Sequence, residues 1–218
     1  MDYTGNISAI LFTGGCNMRC FYCHNPQFVE PSEVRYLSTS TILKFLESRK
    51  NKLNGIVVCG GEPTIHTSLP DWLYHIKSGG YLVKLDTNGS RPKMIETLIK
   101  NDLVDFISVD YKSPKKSYRE MSSSAVDPLN MSHSIELIVK SGIKYEVRST
   151  IHPDFHTKKM VFQMMKEVKE CGSQSYVLQA YVHRNKTVGA LQPPKLSHDL
   201  NAYLPELASL FKQFGIRI

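Results

Sequence analysis

Cys16, Cys20 and Cys23 stand at C-x-x-x-C-x-x-C spacing in Thr13-Gly14-Gly15-Cys16-Asn17-Met18-Arg19-Cys20-Phe21-Tyr22-Cys23-His24-Asn25-Pro26. The loop follows an apolar run, Ile7 to Phe12, that reads as a strand. Three thiolates on one short loop can converge on one metal centre, whereas iron–sulfur clusters are ordinarily held by four. Three sulfurs would hold three corners of a cubane and leave the fourth iron without a protein ligand. Such an iron can bind a substrate or cofactor and pass it an electron. Simpler uses compete. Structural zinc would need His24 as its fourth ligand, and neighbouring Cys23 and His24 side chains do not readily reach one tetrahedral ion. Cys20-Phe21-Tyr22-Cys23-His24 is formally a c-type haem attachment site. That leaves Cys16 unexplained and usually accompanies export, for which the opening residues show no basic region and apolar run. A thiol redox pair has no use for the third cysteine. The open cluster accounts for all three.

The elements that must position this loop follow a rhythm of strand, loop and helix. Strands are expected at Ile7–Thr13, Gly55–Cys59, Tyr81–Asp86, Asp105–Asp110, Lys144–Ile151 and Ser175–Tyr181. Helices are expected at Ser38–Lys50, Leu69–Ser78, Pro92–Asn101, Leu129–Ser141 and Lys158–Glu170, with Ser, Thr or Pro at starts and Gly at ends. After a looser stretch containing Pro193 and Pro194, the apolar stripe Leu204, Leu207, Leu210, Phe211 and Phe214 predicts an amphipathic helix from about His198 to Phe214. The serine run Ser122–Ser124 reads as a mobile loop. Six β–α units in series argue for a parallel sheet with right-handed crossovers. They are too few to close an eight-stranded barrel. The expectation is an incomplete (β/α)6 barrel over about residues 5–182, with a doubly wound open sheet as the alternative. The C-terminal loop and helix, about 183–218, would complete one domain.

In either architecture the ligand sits at the C-terminal strand ends, where the unusual residues fall. Gly60-Gly61-Glu62 follows the second strand. Glycines there would let a ligand approach the backbone, and Glu62 could balance an ammonium group. Asp86, Thr87 and Asn88 end the third strand, and Asp110 and Lys112 follow the fourth. Arg148 lies on the fifth, and Gln179 and Tyr181 end the sixth. Asp86 and Asp110 could bind a cation through oxygen, or pair with neighbouring cations. Lys112 could pair with a ligand carboxylate. Tyr22 could stack on a purine or simply pack. Cys59 reads as a small buried hydrophobe, and Cys171 has no evident role. The His152 and His156 spacing is broken by Pro153, which argues against a metal pair.

The totals bound the class. The chain has 218 residues, 41% hydrophobic and 22% charged, ordinary for a globular protein with its own core. Five cysteines, three of them crowded together, are not a secreted disulfide framework and point to a reducing cytoplasm. No apolar run approaches the ~20 residues of a membrane span, so no membrane association is expected. The net charge of +7 is spread along the chain. Its densest group, Lys112, Lys115, Lys116 and Arg119, is either a solvated face or a contact surface for an acidic protein. No basic and aromatic module suggests nucleic acid.

With the cysteine loop and rim in place, the sequence resembles the radical S-adenosylmethionine (SAM) enzymes, and among them the glycyl radical enzyme activases. The nearest resemblance is to anaerobic ribonucleoside-triphosphate reductase activating proteins. It is carried by FTGGCNMRCFYCHNP, VVCGGEPT, VKLDTNGS and the Asp-x-Lys of VDYKSP, from about Phe12 to Pro114, and more weakly by YEVRSTIHP and YVLQAY. Beyond about Val182 nothing matches. The resemblance implies that Cys16, Cys20 and Cys23 ligate a [4Fe–4S] cluster whose open iron is chelated by SAM. Gly60, Gly61 and Glu62 would receive the methionine amino group, and Tyr22 would lie near the adenine. Lys112 and Arg148 would serve the carboxylate or ribose side, and Asn88 the same cofactor. Asp86, Thr87 and Asp110, with Ser108, are similar to a monovalent or divalent cation site. Gln179 or His183 stands where related activases carry a histidine.

The implied activity is reductive cleavage of SAM to a 5′-deoxyadenosyl radical that takes hydrogen from a glycine of a partner enzyme. Flavodoxin or ferredoxin would supply the electron. Two alternatives stand beside it: a radical SAM enzyme acting on a small molecule, like the 7-carboxy-7-deazaguanine synthases, and a non-catalytic metal-binding protein.

Overall fold

The computed structural model describes residues 3–30, 35–183 and 186–218. Seven parallel strands lie side by side in sequence order: β1 (Ser8–Thr13), β2 (Gly55–Gly60), β3 (Leu82–Thr87), β4 (Phe106–Asp110), β5 (Lys144–Ile151), β6 (Ser175–Ala180) and β7 (Gln213–Arg217). Each pairs only with its neighbours in that order, so among the described residues the sheet does not close. Helices α1 (Pro26–Val29), α2 (Thr39–Ser48), α3 (Leu69–Ser78), α4 (Pro92–Lys100), α5 (Tyr118–Ser122), α6 (Pro128–Ser141), α7 (Lys158–Glu170) and α8 (Leu204–Leu210) fill the crossovers. The partial parallel barrel read from the sequence is the fold. It gains a seventh strand.

Local chemistry sets the helix ends. Ser38, Asp127 and Thr157 cap α2, α6 and α7, each accepting a hydrogen bond from a first-turn amide. α6 stops at Gly142, which is left-handed. The strands alternate. Ile56, Val58, Val83, Leu85, Ile107, Val109 and Val147 are buried in one core with the inward stripes of α3, α4, α6 and α7. The residues between them, Cys59, Lys84, Asp86, Asp110, Glu146 and Arg148, line a lumen of about 520 Å³ instead. Period two thus sends apolar side chains to the helices and charged ones to the inside.

The expected helix from His198 to Phe214 is corrected. It ends at Leu210, and Gln213–Arg217 is a strand on the β6 edge, with Val177 opposite Gly215 and Gln179 opposite Arg217. Leu207 and Phe211 are buried as the stripe predicts, but the extended backbone begins at Phe211. The serine run is also not a free loop. Ser122 ends α5, is fully buried, and its carbonyl accepts from the Arg19 amide at 2.8 Å.

Candidate active site

The cysteine loop leaves β1 and is held at many points. The Gly15 amide donates to the Phe28 carbonyl at 2.7 Å, and the Phe12 and Phe28 rings stack 4.7 Å apart. Arg19 donates to the Cys16 and Met18 carbonyls at 2.7 and 3.1 Å and so draws the loop around itself. The Met18 amide points at the Cys16 sulfur, 3.4 Å away. Asn17, which the sequence reading passed over, bridges to the β3 rim: it donates to the Ser90 hydroxyl at 2.8 Å and accepts from Asn88 at 3.0 Å. Asn17 and Ser90 both lie inside the motif segments CNMRC and TNGS, and their shared position in those segments was the available signal.

Gly60 and Gly61 are glycines because of this loop. A Cβ on Gly60 would lie 2.2 Å from the Thr13 carbonyl oxygen, and one on Gly61 would lie 2.0 Å from that of Gly15. Gly60 also has φ +130, which L side chains rarely adopt. The amides of Gly61 and Glu62 then donate to the Thr13 and Gly15 carbonyls at 2.9 and 2.8 Å. The carboxylate of Glu62 is buried and accepts from the Thr64 amide and hydroxyl, from the Thr87 hydroxyl at 2.6 Å and from the Asn88 amide at 2.6 Å. Burial raises its pKa, against the pull of those donors. Glu62 is therefore a tie between the β2 and β3 rims.

A chain of ion pairs crosses the lumen wall. Arg148 reaches Asp110 at 2.5 Å and Asp86 at 3.2 Å, Lys84 reaches Asp86 at 2.9 Å, and Lys112 reaches Asp110 at 3.3 Å. Lower down, Arg217 grips Glu146 at 2.7 and 3.1 Å. Burial alone would lower Lys112 and raise Asp110. Their opposite charges outweigh it, so Lys112 stays well above the usual lysine value and Asp110, also facing Arg148, well below the usual carboxylate range. Lys84, Glu146 and Arg217 were missed from sequence. The signal was a charged residue at every second position of otherwise apolar strands.

One cavity of about 190 Å³ at the C-terminal rim is lined by Cys16, Cys20, Tyr22, Cys23, Gly60, Gly61, Glu62, Asp86, Thr87, Asn88, Asp110, Lys112 and Arg148. Gln179 is not among them; it lines the lumen below, together with Arg217. A superfamily model described as radical SAM matches residues 10–168. The chain belongs to the radical SAM superfamily. It is 32% identical over 176 residues to a Methanocaldococcus jannaschii protein named as a candidate glycyl-radical enzyme activating enzyme, covering 78% of this chain and 72% of that one. A 7-carboxy-7-deazaguanine synthase of Methanothermobacter thermautotrophicus is 31% identical over 100 residues, 45% of this chain and 38% of that one. Among solved structures, Streptococcus suis SuiB bound to S-adenosylmethionine aligns with TM-score 0.74 over 97% of this chain and 50% of its own, at 14% identity. Native anSMEcpe with bound AdoMet aligns at 0.64 over 81% of this chain and 52% of its own, at 16% identity. The chain thus spans about half the length of these structures, and what it shares with them is the fold.

Membership of the radical SAM superfamily implies a [4Fe–4S] cluster and SAM, and the three cysteines fit the cluster. All three cysteines are free of disulfides and line one cavity. Among the described residues no three Cys, His, Asp or Glu side chains are grouped for a single metal ion. A four-iron cube holds its thiolates at separate corners, farther apart than the ligands of one tetrahedral zinc. Burial raises the Cys16 thiol and pushes Cys20 up to about 11, with Lys112 opposing both. Ligation therefore has to release protons, and Lys112 is the cation that favours the resulting thiolates.

The geometry bears on two further expectations of this radical SAM enzyme. A cation at Asp86, Thr87 and Asp110 is not supported, because Lys84, Arg148 and Lys112 already take the two carboxylates and the Thr87 hydroxyl is turned to Glu62. Tyr22 lines the cavity and is also packed from behind. Its ring is buried edge-on to His156, 5.7 Å between centroids, and its hydroxyl donates to the Lys112 carbonyl at 3.2 Å. His152 and His156 hold no shared metal position: the His152 amide donates to His156 Nδ1, and His156 Nε2 donates to the Lys112 carbonyl.

Proposed function

We propose that this protein is a glycyl radical enzyme activase, with anaerobic ribonucleoside-triphosphate reductase as the favoured partner and a flavodoxin or ferredoxin as electron donor. The observation that carries the reading is that the three cysteines share one rim cavity with the Gly60-Gly61 backbone and the Asp110, Lys112 and Arg148 charges. The likeness to the M. jannaschii protein over most of both chains supports the branch. When bound, the reduced cluster and SAM supply a 5′-deoxyadenosyl radical that takes hydrogen from a glycine of the partner.

The chain's own residues do the rest. Cys16, Cys20 and Cys23 hold the cluster, and Arg19 and Asn17 hold them. The rim carbonyls at Gly60 and Gly61 would accept from the methionine ammonium. Glu62 keeps that rim rigid and contributes negative charge beside it. Lys112 and Arg148 would serve the cofactor's carboxylate and ribose, and Tyr22 would close the adenine side. Among the described residues the sheet does not close, and its open side would be the entry for a peptide loop.

The test is activation of the reductase by the reconstituted protein with SAM and reductant. The expected outcome is a glycyl radical EPR doublet, with deuterium from a glycine-labelled partner appearing in 5′-deoxyadenosine. Cleavage of SAM without any doublet would overturn the partner. The local identity to 7-carboxy-7-deazaguanine synthases favours a second reading, a small-molecule substrate in the lumen. It predicts a small-molecule product such as 7-carboxy-7-deazaguanine and no doublet.

A further inference from the structure

The residues after Val182 lie outside the matched stretch, yet they return to the cysteine loop. The Val188 amide donates to the Cys23 carbonyl at 3.2 Å, and the Gly189 amide donates to the Phe21 carbonyl at 2.8 Å. A tight turn presents these two donors. Buried Thr187 accepts from the Ala190 amide through its carbonyl at 3.0 Å and from the Leu191 amide through its hydroxyl at 2.9 Å. Ala190 is held at φ +47, unusual for a residue with a Cβ. Gly189 sits close against the loop: a Cβ there would stand 3.0 Å from the Phe21 carbonyl oxygen and 3.1 Å from the Phe21 Cβ, so a side chain would force the two segments apart by a few tenths of an ångström. Leu191 packs against the small cluster formed by Tyr22, Met121 and Tyr181. Farther on, the Asp154 carboxylate accepts from the Lys195 and Leu196 amides at 3.0 and 2.8 Å and anchors the segment to the chain after β5.

These contacts fall on the arm of the loop that runs from Cys20 to Cys23. Carbonyls in an irregular loop would otherwise turn to water. We propose that Thr187–Leu191 is a strap that positions Cys23 and keeps water and dioxygen from the cluster on that side, with Thr187 and Gly189 as its positioning residues. Solvent access and hydrogen bonding around the sulfurs are what set a cluster's potential and lability. The proposal rests on the cluster reading and is independent of which partner or substrate the enzyme serves.

The experiment uses the full chain, reconstituted anaerobically with iron and sulfide, as wild type and as Gly189→Val, Thr187→Val and Thr187→Ser. Wild-type uptake of about four irons checks the cluster reading itself. Gly189→Val and Thr187→Val are expected to lose visible cluster absorbance in air roughly ten-fold faster, on the scale of outer-shell changes at metal sites. Their midpoint potentials should move positive, because water stabilises the extra negative charge of the reduced cluster. Thr187→Ser keeps the hydroxyl and should behave as wild type. If Gly189→Val does not fold, the Thr187 pair decides. Bleaching rates and potentials equal to wild type in the folded variants overturn the strap, as does a Thr187→Ser protein that bleaches like Thr187→Val. A wild type that takes up no iron overturns the cluster reading and the strap with it.

Discussion

At the scale of single residues, the rim glycines carry the sharpest consequence. Gly61 faces the cysteine loop backbone, with the Gly15 carbonyl oxygen 2.0 Å from where a Cβ would sit. Gly61→Ala is therefore expected to push the loop off the β2 rim at a cost of about 3 kcal/mol or more, and to lower iron uptake before any effect on SAM affinity. Normal iron content with weakened SAM binding would instead favour a ligand contact as the reason for the glycine. Glu62→Gln makes a second case. The carboxylate meets donors at every contact, so an amide nitrogen in its place faces a donor and leaves a buried group unpaired. The expected loss is about 2 kcal/mol, read as a lower denaturation midpoint of the metal-free protein. The motif residues were legible in the sequence because their types are rare at such spacing. What each one touches was not, since the loop folds back on its own rim through contacts between segments some 46 residues apart, such as Thr13 with the Cys59 carbonyl.

At the scale of elements, the first six strands were legible to within a residue or two, and the period that found them also held information left unread. Lys84 and Glu146 sit at alternate positions among buried neighbours, which only a polar lumen tolerates. The pairing that makes them tolerable is tertiary: Arg148 on β5 joins Asp86 of β3 to Asp110 of β4. Arg148→Met removes the shared partner while Lys84 and Lys112 remain, so the expected destabilisation is about 2–3 kcal/mol, below that of stripping a fully unpaired buried ion. Equilibrium urea unfolding of the metal-free protein measures it. The C-terminal stripe misled for a physical reason. Leu204, Leu207, Leu210 and Phe211 are spaced for one helical face, but Phe214 and Ile216 repeat at two, and a short segment with Gly215 at its centre satisfies either period. The free edge of β6 decided between them.

At the scale of the whole molecule, the lumen charges tie stability to pH. Burial taken alone would raise Asp110, but Arg148 and Lys112 outweigh it and hold its pKa well below the usual value. Glu146 is lowered too: burial raises it, and Arg217 and Arg148 more than reverse that. A carboxylate with a depressed folded pKa binds its proton more readily when unfolded. Its contribution is present above the ordinary aspartate value of about 3.9 and is lost as pH falls through the lower folded value. Glu62 has the opposite sign, because burial raises it, so its contribution fades as pH rises through its folded value. It cannot produce acid lability. Comparing wild type with Asp110→Asn by urea unfolding of the metal-free protein separates these terms. The variant should be less stable at pH 7, where Arg148 and Lys112 have lost a counter-charge. The gap should narrow below about pH 4 and close as the wild-type carboxylate itself becomes protonated. A gap that stays constant across that range would mean that Asp110 acts through shape and hydrogen bonding, and that the acid limb of the molecule belongs to Glu146 and its partner on the seventh strand.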